Sequence, residues 1–446
     1  MKEYEPVIPW DDLPDTEAVP PYEWDHLQEP KAHNPIADAN NLYSRMMLAR
    51  DGTSWKQSVQ SYYWNCLPEN THLQIELDAL ECGETGAYQP TNGTEFFANE
   101  RGNVRPIVGQ VMRDRVASHS LNDIDLVPKI RPHLIYDNAA SLKGRGVDFA
   151  RNRMKVHLER FFQREKTNIG YIRLKDQTKY YDNIDHDLAR DMVHGFTDNI
   201  LALKMVDVCL KHAELDVSDL SDEMFELAKR VKFDRVKWRL GKHPKRGEKF
   251  LRKGVSVGDQ LSQTIGVAYP WRIDNEATIV QGSRYYARYM DDSRDMDRDL
   301  ARLRERAIAV DRVADEYKLF TNTRKTVYCR IDHWFIWLQR KYRLNENGKV
   351  EMRILPKTLT RFRRRIRKMK KFVDSGKFDE MYVAQIVKSW LCARRDVMSY
   401  PQLRRIELLI LDLYGRNAYE YVYDHHEKWK ANRKPHDEWL DVRQPR

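Results

Sequence analysis

Residues 284–297 read Arg-Tyr-Tyr-Ala-Arg-Tyr-Met-Asp-Asp-Ser-Arg-Asp-Met-Asp, and this stretch decides the fold. Residues 284–290 and 293–297 are candidate strands of a hairpin, with Asp291-Asp292 at its tip. Upstream, Tyr-Ile-Arg-Leu-Lys-Asp at 171–176 reads as a short strand that ends on an acid. Two carboxylates at a tight turn, with Asp176 on a neighbouring strand, suit divalent ions such as Mg²⁺, which take a few carboxylates and complete their shell with water and phosphate. Asp-Asp pairs are also ordinary turn residues, and Asp11-Asp12 is one we assign to solvent.

Outward from the hairpin, residues 37–165 are mostly helical, with a break at Asn92-Gly93 and a hairpin turn at Arg101-Gly102-Asn103. Asp182-Asn183-Ile184-Asp185 starts a run of helices that continues to about 240. A Gly-, Lys- and Arg-rich loop at 241–253 leads to a glycine-punctuated turn at 254–258 and an apolar helix near 261–280. Beyond the acidic pair come a helix at about 298–319, strands around 326–331 and 334–344, and a helical tail from 356. In 361–371, eight of eleven residues are Arg or Lys, while Phe362, Ile366, Met369 and Val373 recur on one face. Residues 1–36 hold seven prolines among acids and aromatics and read as an extended arm, with Trp10, Tyr22 and Trp24 available to dock on the body.

The chain of 446 residues is 41% hydrophobic, enough for a buried core and two to four substructures. Residues 1–38 carry ten carboxylates against Lys2 and Lys31, so the rest is more basic than the net +10. A basic body suits a polyanionic partner. No run approaches the roughly 18 apolar residues of a membrane span, and the start lacks the pattern of a signal peptide, so a cytoplasmic protein with no membrane partner is expected. Five scattered cysteines (Cys66, Cys82, Cys209, Cys329 and Cys392) read as reduced core residues rather than a zinc site or disulfide framework.

Residues 176–188 (Asp-Gln-Thr-Lys-Tyr-Tyr-Asp-Asn-Ile-Asp-His-Asp-Leu), 254–263 (Gly-Val-Ser-Val-Gly-Asp-Gln-Leu-Ser-Gln) and 289–292 resemble, in the right order, the first three palm motifs of reverse transcriptases. Arg105-Pro106-Ile107 with Asp114-Arg115 is similar to the family's fingers segment. Ile135-Tyr136-Asp137-Asn138 through Lys143-Gly144-Arg145-Gly146 extends the likeness, as do Lys325-Thr326 for the fourth palm motif and Phe335-Ile336-Trp337-Leu338 for the primer grip. The resemblance covers about residues 95–345. It implies an α+β right-hand polymerase, with an acidic arm at 1–40, fingers at 41–165, a palm at 166–345 with a helical insertion at about 191–253, and a basic helical thumb at 346–446.

The implied activity is RNA-directed DNA synthesis from dNTPs on a DNA or RNA primer, with two Mg²⁺ about 4 Å apart and Mn²⁺ as a substitute. By resemblance Asp176 and Asp291 would hold both ions, Asp292 would support them, and Lys325 would give a proton to the leaving pyrophosphate. Arg105 would bind the triphosphate. Tyr181 matches the aromatic gate that excludes a 2′-hydroxyl, and Gly258 would let the backbone approach the base or nucleotide. On the basic helix, Arg361, Arg364, Arg365 and Lys368 would track the template–primer backbone. A solvated basic face and ordinary surface or core roles are the plainer alternatives for these residues.

The second motif departs from the common Pro-Gln-Gly-x-x-x-Ser-Pro in Ser256-Val257-Gly258 and Ser262-Gln263, and there the chain is similar to reverse transcriptases of diversity-generating retroelements and their phage-borne or defence-associated relatives. Val257 cannot hydrogen-bond the nucleotide as the usual glutamine amide would, which implies low-fidelity copying. Asn103 stands where lysine is frequent, and Ser293-Arg294-Asp295 where relatives are apolar, which puts the packing of that strand in question. Alternatives are an antiphage enzyme with protein-primed, noncoding-RNA-templated or untemplated synthesis, and a non-catalytic RNA-binding or assembly protein on the same fold. A dedicated noncoding RNA, an accessory protein or a second copy of the chain are compatible partners.

Overall fold

The computed structural model describes residues 33–423 except 101–102 and 242. Most of the acidic arm, with Trp10, Tyr22 and Trp24, and the end of the chain from 424 lie outside the described residues. The arm's last residues already belong to the body, because Ile36 and Ala37 are fully buried.

The fold is α+β, with antiparallel sheets set among helices. Strands β1 (Thr94–Glu100) and β2 (Asn103–Gly109) form a hairpin in which Glu100 opposes Asn103. A four-stranded sheet has the order β6-β7-β3-β8, from β3 (Tyr171–Lys175), β6 (Ala287–Tyr289), β7 (Asp292–Asp297) and β8 (Val327–Arg330). Between β3 and β6 lie the helices His186–His194 and Ile200–His212 and a small ribbon of β4 (Leu215–Asp216) and β5 (Phe250–Leu251). Asp185 caps the first of these helices by accepting from Leu188 N at 3.2 Å, as its place before the apolar run predicts.

Two expected elements are divided. The helix near 261–280 is divided at Pro270, which lacks the N–H that would continue the ladder, into Gln260–Ala268 and Trp271–Asn275, and the latter runs on as the π-helical turn Glu276–Val280. The strand at 334–344 folds back on itself as β9 (Phe335–Trp337) and β10 (Arg340–Leu344), with Leu338 and Gln339 at φ 42° and 63° in the turn. β11 (Val350–Ile354) completes this second sheet, in the order β11-β10-β9.

Side chains alternate across the strands of the four-stranded sheet, so its two faces differ. Ile172, Leu174 and Met296 share a core with Met154, Leu158 and Phe161 of the helix Val147–Glu165. On the opposite face, Arg173 and Lys175 pair with Asp311, and Arg306 pairs with Asp295 and Asp297, all against the helix Leu300–Glu316. This is why β7 packs despite its polar sequence. Ser293, Arg294 and Asp295 are buried, Asp295 accepts from Ser283 and Arg306, and Arg294 donates to Tyr285 O at 3.1 Å and contacts His157 Nδ1 at 3.0 Å.

The basic helix spans Pro356–Asp374 and shares a separate core with Glu380–Cys392 and Tyr400–Tyr423. Phe362, Ile366 and Met369 point into it, Phe362 stacked on Trp390 at 3.8 Å. Cys66, Cys209 and Cys329 are half-buried and pack against the hydrophobic cores, as expected, whereas Cys82 and Cys392 are exposed. No helix among the described residues is long and apolar enough to cross a membrane.

Candidate active site

Asp176 follows directly on β3, and the segment after the helix Leu300–Glu316 clamps it there. Asn322 N donates to its carbonyl at 2.8 Å, and Thr178 N donates to Phe320 O at 2.7 Å. Both carboxylate oxygens are held, one by Asn322 Nδ2 at 2.8 Å and the other by Lys325 Nζ at 3.1 Å. Lys175 opposes Ser293 across β3 and β7, so the register carried one pair further sets Asp176 opposite Asp292. Tyr289 opposes Asp292 across β6 and β7, which leaves Met290-Asp291 as a two-residue turn. Asp292 is therefore the first residue of β7 rather than part of the tip.

Met290 adopts φ 56°, a left-handed conformation that costs a long side chain on the order of 1 kcal/mol or more. Arg288 holds it there. Its guanidinium donates to Met290 O at 3.1 Å and to Val267 O at 2.7 Å, and it pairs with Asp274 at 2.8 Å, which also accepts from Tyr286 Oη at 2.9 Å. Arg288 and Asp274 are 3% and 0% exposed, so a buried ion pair ties the acidic turn to the helices Gln260–Ala268 and Trp271–Asn275. On the other edge of β6, Arg288 N donates to Asp137 O at 3.1 Å and Ala139 N to Arg288 O at 3.0 Å. Asp137 in turn accepts from Arg153 and contacts His157 Nε2 at 3.1 Å. Asn322, Asp274 and Arg288 are residues the sequence reading did not single out.

Burial and mutual repulsion dominate the electrostatics. Burial, with the charges of Asp291 and Asp176 added, pushes the Asp292 carboxyl up to about 7. Burial and Asp176 also raise Asp291, against the pull of Lys325 and Arg105. Lys325 is 66% exposed and touches only the Asp176 edge of the cluster, so it offsets this charge weakly.

Tyr181 lies beside these acids, close enough to Asp291 to feel its charge. Its ring lies against Gly266, where a Cβ would come within 3.1 Å of it, and its hydroxyl reaches Met290 Sδ at 3.5 Å. Burial and the nearby Asp291 hold its phenol protonated, well above the ordinary tyrosine range. Val255 N donates to Tyr181 O at 2.9 Å and Gly254 N to Ile184 O at 2.7 Å, which laces the 254–258 loop to this segment. Gly258 has φ 111°, and a Cβ there would stand 3.0 Å from Ile107 Cγ2 and 3.3 Å from Val108 O. The close approach it permits is thus to β2, where half-buried Val257 bridges Ile107, and not to a ligand alone. Arg105 is exposed on the same strand and acts electrostatically on Asp291 and Tyr181.

Neither a protein-family model nor a curated protein matches this chain.

Gln263 is exposed on its helix, and Arg361, Arg364, Arg365 and Lys368 are exposed on theirs, over a core separate from the one beneath the carboxylates. Among the described residues, no three His, Cys, Asp or Glu side chains form a ready-made metal cage. The acids are nonetheless a hard-oxygen donor set whose charge lacks a buried cation, and such a set fits Mg²⁺ completed by phosphate and water. Asp176, Asp291 and Asp292 could hold such ions, with Asp176 Oδ1 exchanging Lys325 for metal.

Proposed function

We propose that this chain is an RNA-directed DNA polymerase of the bacterial or phage kind, built as a right hand with fingers at 41–165, a palm at 166–345 and a thumb from 346. The observation that supports this best is the meeting of Asp176, Asp291 and Asp292, from two ordered motifs, as a half-buried and mutually repelling cluster beside Tyr181 and within the field of Arg105. Acids in a purely structural cluster would be paired.

When bound, Mg²⁺ would acidify the primer hydroxyl and neutralise the incoming triphosphate. Asp176, Asp291 and Asp292 provide the negative charge that this requires. Arg105 donates to phosphate oxygens, and Lys325, at the solvent edge of Asp176, can pass a proton to the departing pyrophosphate. The Tyr181 ring, fixed between Gly266 and Met290, stands where a 2′-hydroxyl would collide and so favours dNTPs. Val257 presents no amide to the base, which favours tolerant copying.

Primer extension on an RNA template tests the reading. Wild type should incorporate dNTPs, an Asp291→Asn, Asp292→Asn variant should fall by roughly a thousandfold, and Tyr181→Ala should admit rNTPs. Equal incorporation by wild type and the double variant overturns the site, and a wild-type preference for rNTPs overturns the role of Tyr181.

A further inference from the structure

Residues 229–253, which run from the end of the helix Asp222–Arg230 to the 254–258 loop, contain twelve Lys or Arg against Asp234 and Glu248. That excess, 12 − 2 = 10, equals the net charge of the whole chain. Local structure accounts for half of the cations. Lys253 is buried and donates to Val231 O at 2.8 Å and to the carbonyls of Ala228 and Lys229, closing the end of the helix. Arg235 is buried and donates to Lys253 O at 3.1 Å and Ala213 O at 3.0 Å. Lys229, Arg239, Lys249 and Arg252 pair with Glu226, Glu95, Asp222 and Asp187.

Arg230, Lys232, Lys237, Lys245 and Arg246 remain, leaving aside Lys242 outside the described residues. All five are exposed, and none forms an ion pair among the described residues. Lys237 lies on the short helix Arg235–Leu240, and Lys245 and Arg246 lie on an irregular segment anchored by Gly247 N donating to Asp216 Oδ2 and Glu248 N donating to Ser218 Oγ, both at 2.9 Å. Val217, Ala228 and Leu251 form a small core beneath them, and Trp238 stacks on His243 at 3.7 Å. Like charges held this close repel unless a polyanion neutralises them.

This surface is fastened to the β1–β2 hairpin, since Arg239 Nη1 pairs with Glu95 of β1 at 2.9 Å. Next to Glu95, Phe96 and Phe97 leave about half of their surface in solvent, at 49% and 47%. The same hairpin carries Arg105 and is joined to the 254–258 loop by the bridge between Ile107 and Val257. A basic surface with adjoining exposed rings is the combination that holds a single strand, its backbone on the cations and its bases on the aromatics.

We propose that the face formed by Arg230, Lys232, Lys237, Lys245 and Arg246, with Phe97 on the Glu95 side of the hairpin, holds the uncopied single-stranded RNA template ahead of the carboxylate site. This rests on the polymerase reading. It adds a second nucleic-acid surface, distinct from the basic helix Pro356–Asp374.

Fluorescence anisotropy tests it, with an RNA template–DNA primer duplex that is either blunt or carries a 5′ RNA overhang of about twenty nucleotides. Replacing the five cations with alanine should weaken binding of the overhanging form by roughly tenfold to a hundredfold and reduce its salt slope by about three, leaving the blunt duplex unchanged. Lys232→Glu with Lys245→Glu, at exposed positions, should act in the same direction with unchanged melting. Equal affinity of wild type and variants for the overhanging form overturns the proposal, as does an equal loss on the blunt duplex. Binding needs no catalysis, so the two readings fail separately. A wild type that grips the overhang through these residues but extends no primer overturns the polymerase and leaves this surface standing.

Discussion

The four-stranded sheet and its neighbours hold two sets of charges, one largely buried and one half-buried, a few residues apart, that follow opposite rules. In the first set each charge has a partner: Arg288 with Asp274, Arg306 with Asp295 and Asp297, and Arg173 and Lys175 with Asp311. In the second, Asp176, Asp291 and Asp292 face one another with only the exposed Lys325 at one edge. The difference separates charge that holds the structure from charge that the structure has to hold. The paired set fixes β6, β7 and the Met290 turn in place, so that the unpaired set cannot relax its repulsion by moving apart.

Breaking the paired set should have the larger effect on stability. Arg288→Leu leaves Asp274 buried without its cation and frees the Met290 carbonyl, and we expect a loss of about 3–5 kcal/mol in urea unfolding. Arg288→Met with Asp274→Leu should recover much of that stability yet not restore nucleotide incorporation, because the turn is then unheld. If Arg288→Leu costs nothing, the pair does not organise the turn.

Relieving the unpaired set should have a smaller effect of opposite sign. The Asp292 carboxyl ordinarily titrates near 3.8 and is pushed up to about 7 in the folded chain. Between those values the folded state binds the proton more tightly than the unfolded state, so this group makes stability fall as pH rises through the window, and the full cost is present above about 7. Asp292→Asn should therefore raise stability by on the order of 1–2 kcal/mol at pH 8, since water reaching the site reduces the repulsion, and by nothing near pH 4. Thermal unfolding at the two pH values reads this directly, and an Asn variant no more stable at pH 8 would show the acids to be well solvated.

Much of this comparison was legible in the sequence. The strand leading to Asp176, the hairpin of β6 and β7, the cap at Asp185 and the inward face of Phe362, Ile366 and Met369 follow from local pattern, although the turn is Met290-Asp291, one residue earlier than the pattern places it. The paired set was not, because nothing in the spacing of Asp274 and Arg288 says that an arginine beside an acidic turn is buried. Ser293-Arg294-Asp295 reads as a packing defect for the same reason, since the partners of Arg294 and Asp295, His157, Tyr285, Ser283 and Arg306, are not marked by local spacing. The reversal at Leu338-Gln339 carries neither glycine nor asparagine to mark its positive φ. β11 follows Asn347-Gly348, a pair that marks the turn before it.

Whether Asp176, Asp291 and Asp292 take up divalent metal is read by a Mn²⁺ titration followed by electron paramagnetic resonance, with wild type and the Asp291→Asn, Asp292→Asn variant each bound to template–primer and a dNTP. Wild type should remove Mn²⁺ from solution under conditions where the variant takes up less, with Mg²⁺ competing for the difference. Identical uptake by the two proteins would contradict a metal-binding role for these acids.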